Sequence, residues 1–249
     1  MATMTKSQEK QIPEAKNLKI KIFADGADLK TMLSQKSNGL IKGFTTNPSL
    51  MKKGGVTDYE AFAKEVLKNI PDMPISFEVF SDDFSDMERQ AKKIASWGKN
   101  VYVKIPITNT KGESSLPLVK KLNAEGLSLN ATAILTVEQV AELSTVLNPN
   151  VNNIVSVFAG RIADTGRNPI PYMKECLALL KDLPKSELLW ASSREVLNVI
   201  EAEEVGCHII TITNDILQKL PKLNFGLKDL SLDTVKMFYK DACEVGYTL

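Results

Sequence analysis

Histidine occurs once, at His208, and cysteine three times, at Cys176, Cys207 and Cys243. Metal centres draw on clustered His, Cys or carboxylate ligands, so this inventory points to no dedicated metal site. The cysteines form no CxxC pair. An odd, sparse set fits reduced thiols in a cytoplasm better than a disulfide framework. An excess of either charge is also missing, since 31 basic and 30 acidic residues leave a net charge of +1. That balance excludes a global pull toward nucleic acid or a membrane surface, but leaves room for a local cation cluster around a phosphate. No apolar run is long enough to span a bilayer. There is no GxGxxG turn and no P-loop, so no nucleotide cradle is expected, and nothing calls for a cofactor. Residues 1–18 are polar, carry no apolar signal core and read as a loose tail.

The 249 residues are ordinary for a globular protein, 43% hydrophobic and 24% charged, and match the usual size of one (β/α)8 barrel. Eight β-rich runs recur along the chain: Lys19–Asp25, Ile41–Thr45, Pro74–Val79, Val101–Ile105, Leu127–Ala131, Asn153–Phe158, Leu188–Ala191 and Cys207–Ile212. Helical periodicity marks Asp58–Ile70, Phe84–Trp97, Leu116–Ala124, Val137–Leu147, Pro171–Leu183, Arg194–Glu204 and Thr234–Val245. Two capping boxes are expected, Thr57 with Glu60 and Thr136 with Gln139. Alternating strand and helix implies parallel strands. Eight repeats in one compositional zone favour a single closed (β/α)8 TIM barrel over 19–249, with an open doubly wound sheet as the weaker alternative.

Side chains alternate along a strand, so one parity faces the barrel interior. In the fourth strand Val101, Val103 and Ile105 face the helices, which turns Tyr102 and Lys104 inward. The same reading puts Asp25, Thr45, Asn47, Glu78, Asn130, Thr132, Ser156 and Ser192 at the C-terminal ends of their strands, where barrel enzymes keep their sites. A lone strand Ser or Thr is more often a satisfied core residue, and Asn47 before Pro48 is also a turn former. A lysine and two acids buried together are costly without function or pairing.

The residue types suggest a chemistry. A neutral lysine amine attacks a ketone and forms an iminium, which accepts electrons when a neighbouring C–C bond breaks. No metal is needed for this. Asp25 is the candidate base for the hydroxyl proton, and Glu78 and Thr132 are candidates for handling a water.

Seven runs carry a resemblance: FTTNPSL (Phe44–Leu50), EVF from Glu78, VYVKIPIT (Val101–Thr108), SLNATAILT (Ser128–Thr136), SVFAGRIADTG (Ser156–Gly166), ASSREV (Ala191–Val196) and GCHIITI (Gly206–Ile212). In order and without gaps, they resemble the successive strand motifs of transaldolases. The resemblance implies Lys104 as Schiff-base lysine, Asp25 as general acid/base, and Glu78 and Thr132 as holders of the catalytic water. It implies Asn47, Asn130 and Ser156 as partners of the sugar hydroxyls, Phe158 as a pocket wall, and Arg161, Ser192 and Arg194 as the phosphate set. Arginine donors suit phosphate geometry, and a helix opening near Ser192 and Arg194 would add its N-terminus. Sugar phosphates of the pentose phosphate type are the implied substrates. The chain is short for the family and closer in size to its fructose-6-phosphate aldolase-like branch. Glu78 and Phe158 stand where that branch has Gln and Tyr, whereas Ser193 stands where many relatives have Phe.

Three functions follow from this pattern. The first is transfer of a dihydroxyacetone unit between sugar phosphates. The second is an aldolase that releases free dihydroxyacetone, which a Tyr at position 158 would favour and Phe158 does not. The third is a sugar-phosphate-binding barrel without turnover, which the intact Lys104, Asp25 and Glu78 argue against. The last helix carries Val235, Met237, Phe238, Tyr239 and Ala242 and is followed by Gly246–Leu249. That is more apolar surface than one barrel flank uses, so a homo-oligomer is expected, a dimer or a larger ring. The competing reading is that this helix only closes the last βα unit.

Overall fold

The computed structural model describes residues 13–248. Most of the expected N-terminal tail therefore lies outside the described residues. Its described end holds one 3-10 turn, Ala15–Asn17, with Ala15 and Leu18 resting against the core.

The strands are β1 (Lys21–Asp25), β2 (Ile41–Thr45), β3 (Ile75–Glu78), β4 (Val101–Pro106), β5 (Leu129–Ile134), β6 (Asn153–Val157), β7 (Ser186–Trp190) and β8 (Ile209–Thr213). Each pairs in parallel with the next, and β8 closes on β1, giving the expected eight-stranded barrel. β1 begins later than expected because the amides of Lys19 and Ile20 donate to Glu203 rather than to a strand.

The helices are α1 (Leu29–Ser37), α2 (Pro48–Lys53), α3 (Tyr59–Asn69), α4 (Phe84–Ala95), α5 (Leu116–Ala124), α6 (Val137–Ser144), α7 (Ala159–Asp164), α8 (Pro169–Leu179), α9 (Leu197–Val205), α10 (Asn214–Lys219) and α11 (Leu227–Val245). The seven expected helices all form, α5 with the expected bounds and the other six with one or both ends shifted. The sequence periodicity had no sign of α1, which buries only Met32 and Gln35. Nor did it show α2, α7 and α10, each of six residues and too short for a repeat.

The capping box at α6 forms as expected: Thr136 Oγ1 accepts from the Gln139 amide and Gln139 Oε1 from the Thr136 amide. The one expected at α3 does not. Asp58 is the cap there and accepts from the Ala61 amide at 2.9 Å, while Glu60 pairs with Lys64 and Lys93. A carboxylate one residue further along satisfies the same orphan donors, so Thr57 has none to cap.

On β4 the inward and outward parity follows the expected alternation. Val101, Val103 and Ile105 join the large core between sheet and helices. A second, smaller cluster fills the barrel interior: Phe23, Ile154, Leu189, Ala191 and Ile209, with Tyr102 and Phe158 against it. Gly43 makes room for this plug. It lies in register with Phe23, and a Cβ there would sit 2.5 Å from the Phe23 ring. The plug divides the interior, separating the polar side chains at the C-terminal ends of the strands from those at the other end, where Lys21 pairs with Glu187.

The last helix departs from the reading that it closes the barrel. α10 packs on β1 and β8, whereas α11 starts seven residues earlier than expected and buries none of its residues. Leu232, Val235, Phe238, Tyr239 and Val245 are all more than half exposed. Among the described residues, no helix is long and apolar enough to cross a membrane.

Candidate active site

Lys104 projects from β4 into the barrel and is only 5% exposed. Burying an ammonium without partners would cost several kcal/mol, so its contacts decide whether the fold tolerates it. Its Nζ lies 3.0 Å from Glu78 Oε2 and donates to the Thr46 carbonyl at 2.8 Å. Glu78 is brought there by strand register, since it pairs with Lys104 across β3 and β4.

Asp25 ends β1 opposite Thr45 of β2. Its Oδ1 accepts from Thr45 Oγ1 at 2.9 Å, and Thr45 Oγ1 in turn meets Thr211 Oγ1 of β8. Burial pushes the Asp25 carboxyl above the usual carboxylate range. The charge of Lys104 and the Thr45 hydrogen bond counter this, while the charge of Glu78 adds to it. One lysine and two carboxylates with different surroundings thus share the mouth of the barrel. That is the arrangement that separates acid from base roles.

On the opposite wall Ser156 donates to Asn130 Oδ1 at 2.7 Å, and Asn130 Nδ2 donates to Ser76 Oγ at 3.0 Å. This chain locks the Asn130 amide and spans three strands. Thr132, two residues further along β5, is 1% exposed, and its Oγ1 has no hydrogen-bond partner in the protein. A buried hydroxyl without a protein partner calls for one from solvent or substrate. The next residue, Ala133, has φ 60°, and β5–β6 pairing is irregular between Ala131 and Ile134. A left-handed alanine stores strain of the kind that gathers at functional sites.

The remaining candidates lie in the loops. Asn47 follows β2 as the N-cap of α2, its Oδ1 accepting from the Leu50 amide, so the turn-forming reading of this residue is observed. Phe158 leaves β6 with the Arg161 guanidinium 5.5 Å above its ring. Ser192 was expected on a strand face, but Leu189 and Ala191 hold the inward parity of β7. Ser192 instead lies beyond β7 with φ 64°. α9 begins at Leu197, so Arg194 does not open a helix. Its amide bonds to Asn198 Oδ1 instead.

The loop still brings Ser192 and Arg194 toward Arg161. Gly160 is the reason: its amide donates to the Ala191 carbonyl, and a Cβ there would lie 1.7 Å from the Ser192 carbonyl oxygen. Asp164, one turn after Arg161 on α7, was not anticipated. It takes Arg194 in a two-pronged ion pair, while Arg194 Nη1 donates to Ser192 Oγ at 3.1 Å. Arg194, and to a lesser extent Arg161, hold the Asp164 carboxyl below the usual range. An incoming phosphate would compete with Asp164 for these donors. The only sign in the sequence is the i, i+3 spacing of Arg161 and Asp164 in GRIAD.

A buried lysine paired with an acid at the mouth of an eight-stranded barrel is a motif that sequence comparison can place. The family profile described as Transaldolase/Fructose-6-phosphate aldolase matches residues 22–247. The chain belongs to this family. The "Probable transaldolase" of Nitrosopumilus maritimus is 32% identical over 225 residues, 88% of this chain and 96% of that protein. That of Caldicellulosiruptor saccharolyticus is 36% identical over 224 residues, 89% and 96% respectively. The "Probable transaldolase 2" of Listeria monocytogenes is 34% identical over 202 residues, 81% and 88%. The match takes in all eight strands, apart from Lys21 at the start of β1.

The raised Asp25 carboxyl makes a testable statement about stability. A group whose pKa is raised on folding contributes stability that is present below its ordinary pKa and is lost as pH rises through the raised value. Asp25→Asn has no proton to lose there. It should gain stability relative to the parent as pH rises from acid to neutral, read as the difference in urea midpoint at the two ends. A difference that does not change with pH would contradict the burial of this carboxyl.

Proposed function

We propose that the chain is a transaldolase that moves a dihydroxyacetone unit from a ketose phosphate to an aldose phosphate through a Schiff base on Lys104. The observation that carries this reading is the Lys104 amine 3.0 Å from Glu78, inside a barrel whose mouth also holds Asp25. Glu78 is the nearest base to take a proton from the ammonium. The amine then attacks the C2 ketone, and the carbinolamine loses water to give the iminium. Asp25 removes the proton of the C4 hydroxyl as the C3–C4 bond breaks; the C4 fragment leaves as an aldose phosphate, and the electron pair moves onto the iminium to leave an enamine. An acceptor aldehyde takes the enamine carbon and the protonated Asp25 returns its proton to the new hydroxyl. Water, held by Glu78 and the Thr132 hydroxyl, then releases the ketose product. Asn47, Asn130 and Ser156 would bind the hydroxyls of the dihydroxyacetone unit, and Arg161, Ser192 and Arg194 the phosphate.

Transfer is preferred over release of free dihydroxyacetone because Phe158, at the edge of the interior cluster, offers no hydroxyl to protonate the enamine. The names of the relatives support the same choice. We assign the catalytic unit to 19–249 and its place of work to the cytoplasm, on the composition read above.

Lys104→Ala tests the reading. It should abolish turnover of fructose 6-phosphate with erythrose 4-phosphate while leaving the melting curve cooperative, and a variant with near-parent activity would refute it. Arg161→Ala or Arg194→Ala should weaken phosphorylated acceptors by about 1.5–3 kcal/mol relative to unphosphorylated aldehydes, the worth of a charge-assisted contact. Equal losses for both acceptor types would show that these arginines do not read phosphate.

We also infer a homo-oligomer, a dimer or a larger ring. An isolated helix is marginal in water, and α11 places Leu232, Val235, Tyr239 and Ala242 along one unburied stripe. A second copy of the chain is the partner proposed for that stripe. Light scattering at micromolar concentration should give a multiple of the 27.5 kDa chain mass, and a monomer would overturn the inference.

A further inference from the structure

One rung of the β2–β3 ladder is open beside the site, and a phenol occupies it. In a parallel ladder a residue facing its neighbour donates its N–H to one partner residue and accepts at its C=O from the residue two further along. β2 and β3 obey this as far as the Thr46 amide, which donates to the Ser76 carbonyl at 3.1 Å. The next bond of the ladder would run from the Glu78 amide to the Thr46 carbonyl. Instead the Glu78 amide donates to the Tyr59 hydroxyl at 2.8 Å, and that hydroxyl donates to the Glu78 carbonyl at 2.9 Å. The Thr46 carbonyl, left without the amide, accepts from Lys104 Nζ.

Tyr59 is the first residue of α3, which follows the departure of the chain from β2. Its ring lies edge-on to Phe77 at 6.3 Å and to Phe80 at 5.6 Å, and tilted against Trp97 at 6.1 Å. These rings fix where the hydroxyl falls. Burial raises the phenol's pKa, so its O–H remains available to the Glu78 carbonyl.

We propose that Tyr59 is a positioning residue for the lysine: its hydroxyl holds the Glu78 backbone out of the β2–β3 ladder and so reserves the Thr46 carbonyl for Lys104 Nζ. The proposal rests on the reading of Lys104 and Glu78 as the reacting pair. Tyr59 acts through the Glu78 backbone, and its hydroxyl also interacts with the Thr46 side chain. Without its hydroxyl the rung can close, drawing the Glu78 amide to Thr46 and removing one of the two acceptors that orient the amine.

The test compares Tyr59→Phe with the parent, with Phe80→Ala as a control for loss of ring packing. For transfer from fructose 6-phosphate, Tyr59→Phe should lower kcat about tenfold or more with KM within about twofold, the pattern of lost orientation rather than lost binding. The acid limb of its kcat pH profile should also move, and Phe80→Ala should keep the parent's values. A Tyr59→Phe variant with the parent's kcat, KM and pH profile overturns the proposal. Lys104→Ala, assayed alongside, separates the two levels. If it retains turnover, the functional reading falls and takes this role with it. If it is inactive while Tyr59→Phe matches the parent, the role of Tyr59 alone falls. A measurement on the unaltered protein stands apart from any variant's folding. With carbon-13 in the tyrosine ring, the Tyr59 resonance should stay un-ionised beyond the range of a solvent-exposed phenol, because burial raises its pKa; titration within that range would show the hydroxyl in solvent instead of on the Glu78 backbone and overturns the proposal.

Discussion

A lysine inside a barrel is the constraint around which the rest of this structure is organised. Lys104 is almost without solvent, and its ammonium is tolerated because Glu78 and the Thr46 carbonyl stand within hydrogen-bond distance. Removing either partner would leave a buried charge under-satisfied, which costs more than the pair itself contributes. The placement of neighbouring elements follows. β3 must present Glu78 in register with Lys104, and β2 must end early enough for the Thr46 carbonyl to face the amine. The apolar plug around Phe23, made possible by Gly43, keeps the polar set at one end of the strands.

The same logic explains where the chain accepts irregular backbone. Ala133 and Ser192 take left-handed φ values beside the Thr132 hydroxyl and the Arg194 loop, respectively. Both lie just beyond or within the last rungs of their strands, where the ladder no longer dictates direction. Gly160 lets α7 abut the Ser192 carbonyl, which is what gathers the two arginines about Asp164. Strain at such positions is sustained because the rigid strands beneath hold their ends.

The strand series and its parity were legible because β-branched runs recur between helical segments and period 2 leaves one face per residue. Asp25, Glu78, Lys104, Asn130 and Ser156 therefore fall inward as that parity requires. Loop residues were less legible, because no period governs them. Ser192 lies beyond its strand instead of on its face, and the helix that the periodicity starts at Arg194 begins three residues further on. Asp164 and Tyr59 act through contacts distant in sequence, Arg194 and the Glu78 backbone, and no local pattern announces either. α1 was missed because it buries almost nothing apolar. The length of α11 was underestimated because its first two turns mix charge with leucine.

The proposed function makes Lys104 the nucleophile held ready by this arrangement. The most direct measurement is reduction with borohydride in the presence of fructose 6-phosphate, followed by peptide mapping by mass. One reduced adduct with the mass of the dihydroxyacetone or ketose unit is expected, carried on the peptide that contains Lys104. An adduct on another lysine, or none under conditions of measurable turnover, would contradict it.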